Sequence, residues 1–90
     1  MTFMSPGSTD PQGLGAAIRQ ARDARGWTQA VLAERSGVSR AFVLDLERGA
    51  RSRAELGRVL AVVRALGLAV ILVDDERPGD FDTALDQALG

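Results

Sequence analysis

A glycine between two short helical patterns is the feature that most constrains this chain. Gly37 separates the stretch 29–36 from the stretch 40–48, and both stretches carry apolar residues on one side. Glycine takes a positive φ at little cost, so the chain can reverse direction there. Ser39, two residues later, is a good N-cap for the second helix. Two helices joined by a short turn that contains glycine are the pattern of a helix-turn-helix motif.

Apolar spacing predicts a further helix on each side of this pair. Before it, from Gly13, apolar residues recur at intervals of three and four until Gly26, a residue suited to end a helix. Thr28 is placed to cap the next helix. After the pair, Ser52-Arg53-Ala54-Glu55 fits a capping box that opens a fourth helix. The apolar residues of that helix share one face: Leu56, Val59, Leu60, Val63 and Leu66.

The six residues from Leu68 to Val73 are apolar and rich in β-branched side chains, which predicts a strand. The backbone groups of a lone strand need a partner, and the sequence offers no second strand. We therefore predict that two copies of this strand pair across a two-fold axis. The residues assigned to the dimer strand are Leu68, Val70, Ile71, Leu72 and Val73.

These elements predict a mainly α fold: one domain of four to five helices with a single C-terminal β-strand that pairs across a dimer. Residues 1–12 are rich in Ser, Thr, Pro and Gly and are predicted to form a disordered leader. Residues 13–73 are assigned to one helix-turn-helix domain that also carries the dimerisation strand. Residues 74–90 form an acidic tail, in which Asp80 is a suitable cap for a short helix.

Charge is unevenly distributed along the chain, although the net charge is −1. Between Gly13 and Leu66 ten Arg stand against five acidic residues, a balance of +5. From Gly67 to Gly90 six acidic residues stand against one Arg, a balance of −5. A basic body followed by an acidic segment indicates a nucleic-acid-binding surface and a separate tail.

Histidine and cysteine are both missing from the sequence. Their absence excludes disulfides, the usual zinc and haem ligands, and Ser-His or Cys-His nucleophile pairs. We therefore expect no metal, no cofactor, no catalytic residue and no enzyme. The longest apolar run is too short to cross a membrane, and the N-terminus has no signal-peptide pattern. A cytoplasmic protein is expected.

The chain resembles the Cro/repressor-type (XRE) helix-turn-helix family over about residues 14–66. The segments that carry the resemblance are Gly26-Trp27-Thr28-Gln29, Leu32-Ala33-Glu34, Gly37-Val38-Ser39 and Leu46-Glu47-Arg48-Gly49. Residues 66–73 resemble a narrower group, the HipB-type antitoxins, in which a strand after the fourth helix pairs between protomers.

The resemblance implies a repressor that binds palindromic double-stranded DNA as a homodimer. It also implies the antitoxin of a type II toxin–antitoxin operon, which the dimer autoregulates. Two alternatives stay open. One is an interaction module that mainly neutralises a toxin through its C-terminal tail; the other is a stand-alone regulator similar to phage repressors.

The family pattern also implies a role for each matching position. The helix at 40–48 would enter the major groove. Its base-facing residues would be Arg40, Ala41, Leu44 and Asp45. Phosphate contacts are assigned to Gln29, Ser39, Arg51 and Arg53. Arg22 and Glu47 match a structural ion pair. Phe42 stands where many relatives have Ser or Thr, and it could pack inward or contact a thymine methyl group.

Overall fold

The structure is a computed structural model that describes residues 10–50 and 53–74. The described residues form four helices: α1 (Pro11–Ala24), α2 (Gln29–Ser36), α3 (Arg40–Glu47) and α4 (Leu56–Ala65). α2 packs against both α3 and α4, and α1 packs against α3. The predicted mainly α, helix-turn-helix fold is confirmed.

The turn between α2 and α3 has the predicted chemistry. Gly37 has φ 71° and ψ 27°, the left-handed conformation that a residue with a side chain rarely adopts. The Ser39 hydroxyl accepts a hydrogen bond from the Phe42 amide at 3.0 Å, which caps α3. Thr28 caps α2 in the same way, because its hydroxyl accepts from the Val31 amide at 3.1 Å. Local sequence therefore sets where both helices of the motif begin.

α1 begins earlier than predicted. Asp10 is its N-cap and accepts a hydrogen bond from the Gly13 amide at 2.6 Å. Pro11 occupies the first helical position, where its missing N–H needs no partner. The boundary of the leader at residue 12 is therefore wrong, because the Asp-Pro pair starts the helix instead of belonging to the leader. Residues 1–9 lie outside the described part of the chain.

α4 begins later than predicted. Glu55 is its N-cap residue, and the Glu55 side chain makes no capping hydrogen bond. The prediction that a capping box opens this helix at Ser52 is wrong. Residues 54 and 55 are not helical, and the Ala54 side chain packs against the core as part of the link from α3. Ser52 itself lies outside the described residues.

The buried core draws on all four helices. Its most buried large side chains are Phe42, Leu32, Leu66, Val43 and Val62. Phe42 is only 2% exposed, so it packs inward and is not placed to contact a thymine methyl group. Trp27 is partly buried against the same core, and the Arg35 guanidinium lies 4.4 Å from the centre of its ring.

Residues 68–74 follow α4 with neither helix nor strand. A strand is defined by hydrogen bonds to a neighbouring strand, and the described part of this single chain contains no second one. The dimer strand from Leu68 to Val73 therefore stays a prediction about two copies. Its side chains are strongly exposed, with Leu72 at 93% and Ile71 at 77%. The tail after Asp74, including the helix predicted from Asp80, lies outside the described residues.

Candidate nucleic-acid interface

α3 presents one buried face and one outward face. Phe42, Val43, Leu46 and Glu47 are buried against the other helices. The four residues predicted to read bases lie elsewhere on the helix: Arg40, Ala41 and Leu44 are exposed and Asp45 is half-buried. Because residues four apart are neighbours on a helix surface, these side chains form one outward patch. The structure thus brings the four predicted base-reading residues together.

Arg22 and Glu47 form a bidentate ion pair between α1 and α3. Arg22 Nε donates to Glu47 Oε2 at 2.7 Å, and Arg22 Nη2 donates to Glu47 Oε1 at 3.0 Å. The Arg22 and Glu47 side chains are 12% and 3% exposed. Arg22 Nη1 also donates to the Trp27 carbonyl at 2.8 Å. The pair therefore connects α1, the loop before α2 and the C-terminal end of α3.

This pairing raises the pKa of Arg22 above its ordinary value. The hydrogen bond to Glu47 is the main cause; burial acts in the opposite direction, and the negative charges of Glu47 and Asp23 add to the rise. A raised pKa in the folded state adds stability that is fully present below the ordinary pKa of arginine. The Arg22 contribution is therefore constant across the physiological pH range.

Gln29, the first residue of α2, is bonded to the same carboxylate. Gln29 Nε2 donates to Glu47 Oε1 at 3.2 Å. The side chain predicted to touch phosphate is therefore half-buried and held from within the protein. No sequence pattern indicated this bond, since the two residues are 18 positions apart.

A shallow depression of about 270 Å³ opens beside this network, between α1, α2 and α3. Its lining residues are Arg19, Arg22, Gln29, Leu44, Glu47 and Arg48. Three of the six carry positive charge and one carries negative charge. The depression therefore adjoins the outward patch of α3 through Leu44 and has a predominantly basic wall.

The other residues predicted to contact phosphate do not line this depression. Ser39 is exposed, and its hydroxyl already accepts the capping bond of α3. Arg53 is exposed in the link that leads to α4, and Arg51 lies outside the described residues. The depression brings in two arginines that the sequence reading did not select, Arg19 and Arg48. Nothing in the sequence set Arg19 and Arg48 apart from the other arginines.

Gly15 is a further residue that sequence reasoning missed. It is buried in α1 where that helix meets the end of α3, and a Cβ there would lie 2.7 Å from the Glu47 carbonyl oxygen. An isolated glycine inside a helical pattern often marks a close approach of this kind. That signal was present in the sequence, but it could not name the partner.

Neither a metal site nor a membrane-spanning helix is found among the described residues. Residues 10–50 and 53–74 contain no group of acidic side chains able to hold a metal ion. No helix in this part of the chain is long and apolar enough to span a membrane.

A family model described as helix-turn-helix matches residues 18–71, more than half of the chain. The chain belongs to the helix-turn-helix family of the Cro/repressor (XRE) type, and it is a DNA-binding transcriptional regulator. This is a family of regulators rather than of enzymes.

Similar proteins include both a sequence relative and solved structures. An uncharacterized HTH-type transcriptional regulator of Sinorhizobium fredii is 38% identical over 68 residues, covering 74% of this chain and 88% of that protein. A HipB–O4 20mer complex matches with a TM-score of 0.71 and 26% identity, covering 82% of this chain and 100% of that one. A HipA–HipB–O2–O3 complex matches with a TM-score of 0.69 and 27% identity, with the same coverage.

Proposed function

We propose that this protein is an autoregulating repressor and the antitoxin of a type II toxin–antitoxin operon, and that it binds palindromic DNA as a homodimer in the cytoplasm. The observation that carries the proposal is the outward patch of α3, where Arg40, Ala41, Leu44 and Asp45 lie together and clear of the core. The likeness to HipB, which occurs in a complex with HipA, supports the antitoxin part.

In this proposal α3 is the recognition helix and lies in the major groove. Arg40, at its first position, reads guanine through two hydrogen bonds. Ala41 and Leu44 supply apolar contacts to thymine methyl groups. Asp45 accepts a hydrogen bond from cytosine. The short side chain of Ala41 allows the helix to approach the base edges closely.

Contacts to the DNA backbone set the register of α3 on the duplex. We assign them to Gln29, Ser39, Arg51 and Arg53, with the N-terminus of α2 adding the favourable dipole of its free N–H groups. The arginines supply most of the affinity, because each phosphate that they neutralise releases a condensed counterion.

The second half of a palindrome needs a second copy of the chain. The exposed apolar segment from Leu68 to Val73 supplies the contact if the two copies pair as antiparallel strands. Pairing would satisfy the backbone groups of the segment and remove its apolar side chains from water. The two α3 helices would then read successive major grooves roughly 34 Å apart.

The test is binding to the DNA upstream of the protein's own gene, with a random duplex of equal length as the control. We expect tighter binding to the upstream DNA and a steep fall in affinity as salt is raised, on the order of 10³-fold or more between 50 and 200 mM for six or more phosphate contacts. Equal affinity for the two duplexes would contradict a sequence-specific repressor. A flat salt dependence would contradict the arginine contacts.

A second candidate function is an interaction module that neutralises a toxin through residues 74–90. It is favoured by the negative balance of that tail against the basic body. Deletion of residues 75–90 should leave DNA binding intact and abolish binding to the product of the adjoining gene. Loss of both activities would show that the tail is no separate module, and retention of both would place the toxin contact elsewhere.

A further inference from the structure

The Glu47 carboxylate has partners on two other helices. Its Oε2 accepts from Arg22 Nε of α1, while Oε1 accepts both from Arg22 Nη2 and, at 3.2 Å, from Gln29 Nε2 of α2. A simple α1–α3 ion pair would need only the two bonds to Arg22. The bond to Gln29 is additional, and it restrains a side chain at the start of the helix that is proposed to meet the DNA backbone.

A glutamine amide nitrogen carries two hydrogens, so it can donate twice. One N–H of Gln29 Nε2 donates to Glu47. Among the described residues, the second N–H has no acceptor. The bond to Glu47 restricts the rotation of the amide group. The second N–H is therefore restricted to a narrow range of directions before any ligand arrives.

The surroundings of Gln29 suit an anion. Gln29 and Glu47 both line the depression between α1, α2 and α3. Arg48 contributes positive charge there, and Arg19 contributes a charge that Asp23, 3.8 Å away, partly offsets. Arg22 neutralises the Glu47 carboxylate through its two hydrogen bonds. A phosphate oxygen can therefore approach the Gln29 amide without facing an uncompensated negative charge.

We propose that Glu47 is a positioning residue for DNA binding, which orients the Gln29 amide so that its second N–H donates to a backbone phosphate. This inference rests on the proposed function. An orientation set in advance spares the ordering of a flexible side chain on binding, an effect of about two- to tenfold in affinity. The contact is independent of base sequence, because it involves only the phosphate.

The experiment measures Gln29→Ala on DNA affinity in two backgrounds, wild type and the double variant Arg22→Met/Glu47→Leu. Apolar residues of similar volume can replace a buried ion pair with little loss of stability, and helical circular dichroism would verify that every variant is folded at the temperature used. We expect Gln29→Ala to weaken binding about two- to tenfold in the wild type and to have almost no effect in the double variant. Equal losses in both backgrounds would overturn the positioning role.

A second variant leaves the ion pair in place. Gln29→Asn keeps the amide but is one methylene shorter, so it cannot reach Glu47 and a phosphate together. We expect it to lose as much affinity as Gln29→Ala, and wild-type affinity in Gln29→Asn would overturn the inference.

Salt dependence and overall binding separate this inference from the proposed function. Gln29 is neutral, so its loss should leave the slope of log affinity against log salt unchanged, whereas loss of an arginine contact lowers that slope by about one. A change of slope in Gln29→Ala would overturn the neutral hydrogen bond. If the wild type bound no DNA, the proposed function itself would fail; if it bound normally and Gln29→Ala changed nothing, only the inference would.

Discussion

Gly15 of α1 lies directly against the backbone of Glu47 at the end of α3. A Cβ at Gly15 would clash with the Leu46 carbonyl oxygen, and it would approach the Glu47 carbonyl oxygen to 2.7 Å and the Glu47 carbonyl carbon to 2.9 Å. This close approach sets the spacing between the two helices at one end of the core. Two turns further along α1, the same spacing brings the Arg22 guanidinium to the Glu47 carboxylate.

Gly15→Ala should destabilise the protein. The added methyl group meets backbone atoms, which cannot move aside as a flexible side chain could, and overpacking of this kind costs about 1–3 kcal/mol. Gly57→Ala is the matched control, because a Cβ at this exposed position of α4 meets nothing within 4 Å. The control should stabilise by up to ~1 kcal/mol through helix propensity. Urea unfolding of both variants checks the contrast, and an equal response would contradict the close approach.

Glu47→Ala should reduce the free energy of unfolding by up to about 3–5 kcal/mol, because it removes the buried partner of Arg22 and leaves only the exposed Asp23 carboxylate, 3.3 Å from Arg22 Nη1, to offset its charge. Arg58→Ala is the control: Arg58 lies 3.7 Å from Glu55 in a pair whose side chains are 59% and 71% exposed. Exposed pairs of this kind contribute about 1 kcal/mol or less. Thermal melting followed by circular dichroism separates the two, and an unchanged midpoint in Glu47→Ala would show that the pair does not stabilise the fold.

Phe42→Ser should unfold or strongly destabilise the protein. Phe42 is among the largest fully buried side chains, and removal of an aromatic ring from a core costs about 3–5 kcal/mol. Phe42→Leu, which keeps much of the volume, should cost far less. Denaturant unfolding measures both. A stable Phe42→Ser variant with altered DNA preference would mean that Phe42 faces the DNA.

Arg40→Ala should weaken binding to the specific site by about 1–3 kcal/mol and relax base preference at one position. The reason is that Arg40 is exposed at the first position of α3, in the outward patch. Arg64→Ala, at an exposed position of α4, removes the same charge outside that patch and should change affinity little. Competition titrations with specific and random duplexes give the result. An equal loss on both duplexes would assign Arg40 to a phosphate instead of a base.

If the protein is the proposed dimer, Leu72→Asp should convert it to a monomer while leaving the helical core folded. Leu72 is 93% exposed in the single chain, so the charge disturbs no buried contact there, but it would lie within the paired strands. Ala16→Asp, at an exposed position of α1, is the control and should stay dimeric. Sedimentation velocity reports the association state. A Leu72→Asp dimer would show that this segment is not the contact between protomers.

The positions of helix α2 and the start of α3 could be predicted from the sequence, because their signals are local. Thr28 and Ser39 bond to amides three residues ahead, and Gly37 needs only its own backbone freedom. The same local reasoning was wrong at both outer ends, where Asp10 caps α1 and Glu55 precedes α4. At α1 the Asp10-Pro11 pair is itself a local signal, but it lies within the segment assigned to the leader.

The candidate site also has a part that could be predicted before the structure and a part that could not. The resemblance to the family implied base-facing roles for Arg40, Ala41, Leu44 and Asp45, and in the structure these four residues lie off the buried face of α3. The pairing of Arg22 with Glu47 rested on family resemblance, because the two are 25 positions apart.

By itself, therefore, the sequence determined the helix-turn-helix motif, its turn and its two caps, since each depends on atoms within four residues along the chain. Only the tertiary structure decided that Phe42 packs inward, that Gly15 meets the Glu47 backbone and that Gln29 shares the Glu47 carboxylate. Those contacts depend on how α1, α2 and α3 cross. The crossing is set by the packing of the whole core, which no local pattern encodes.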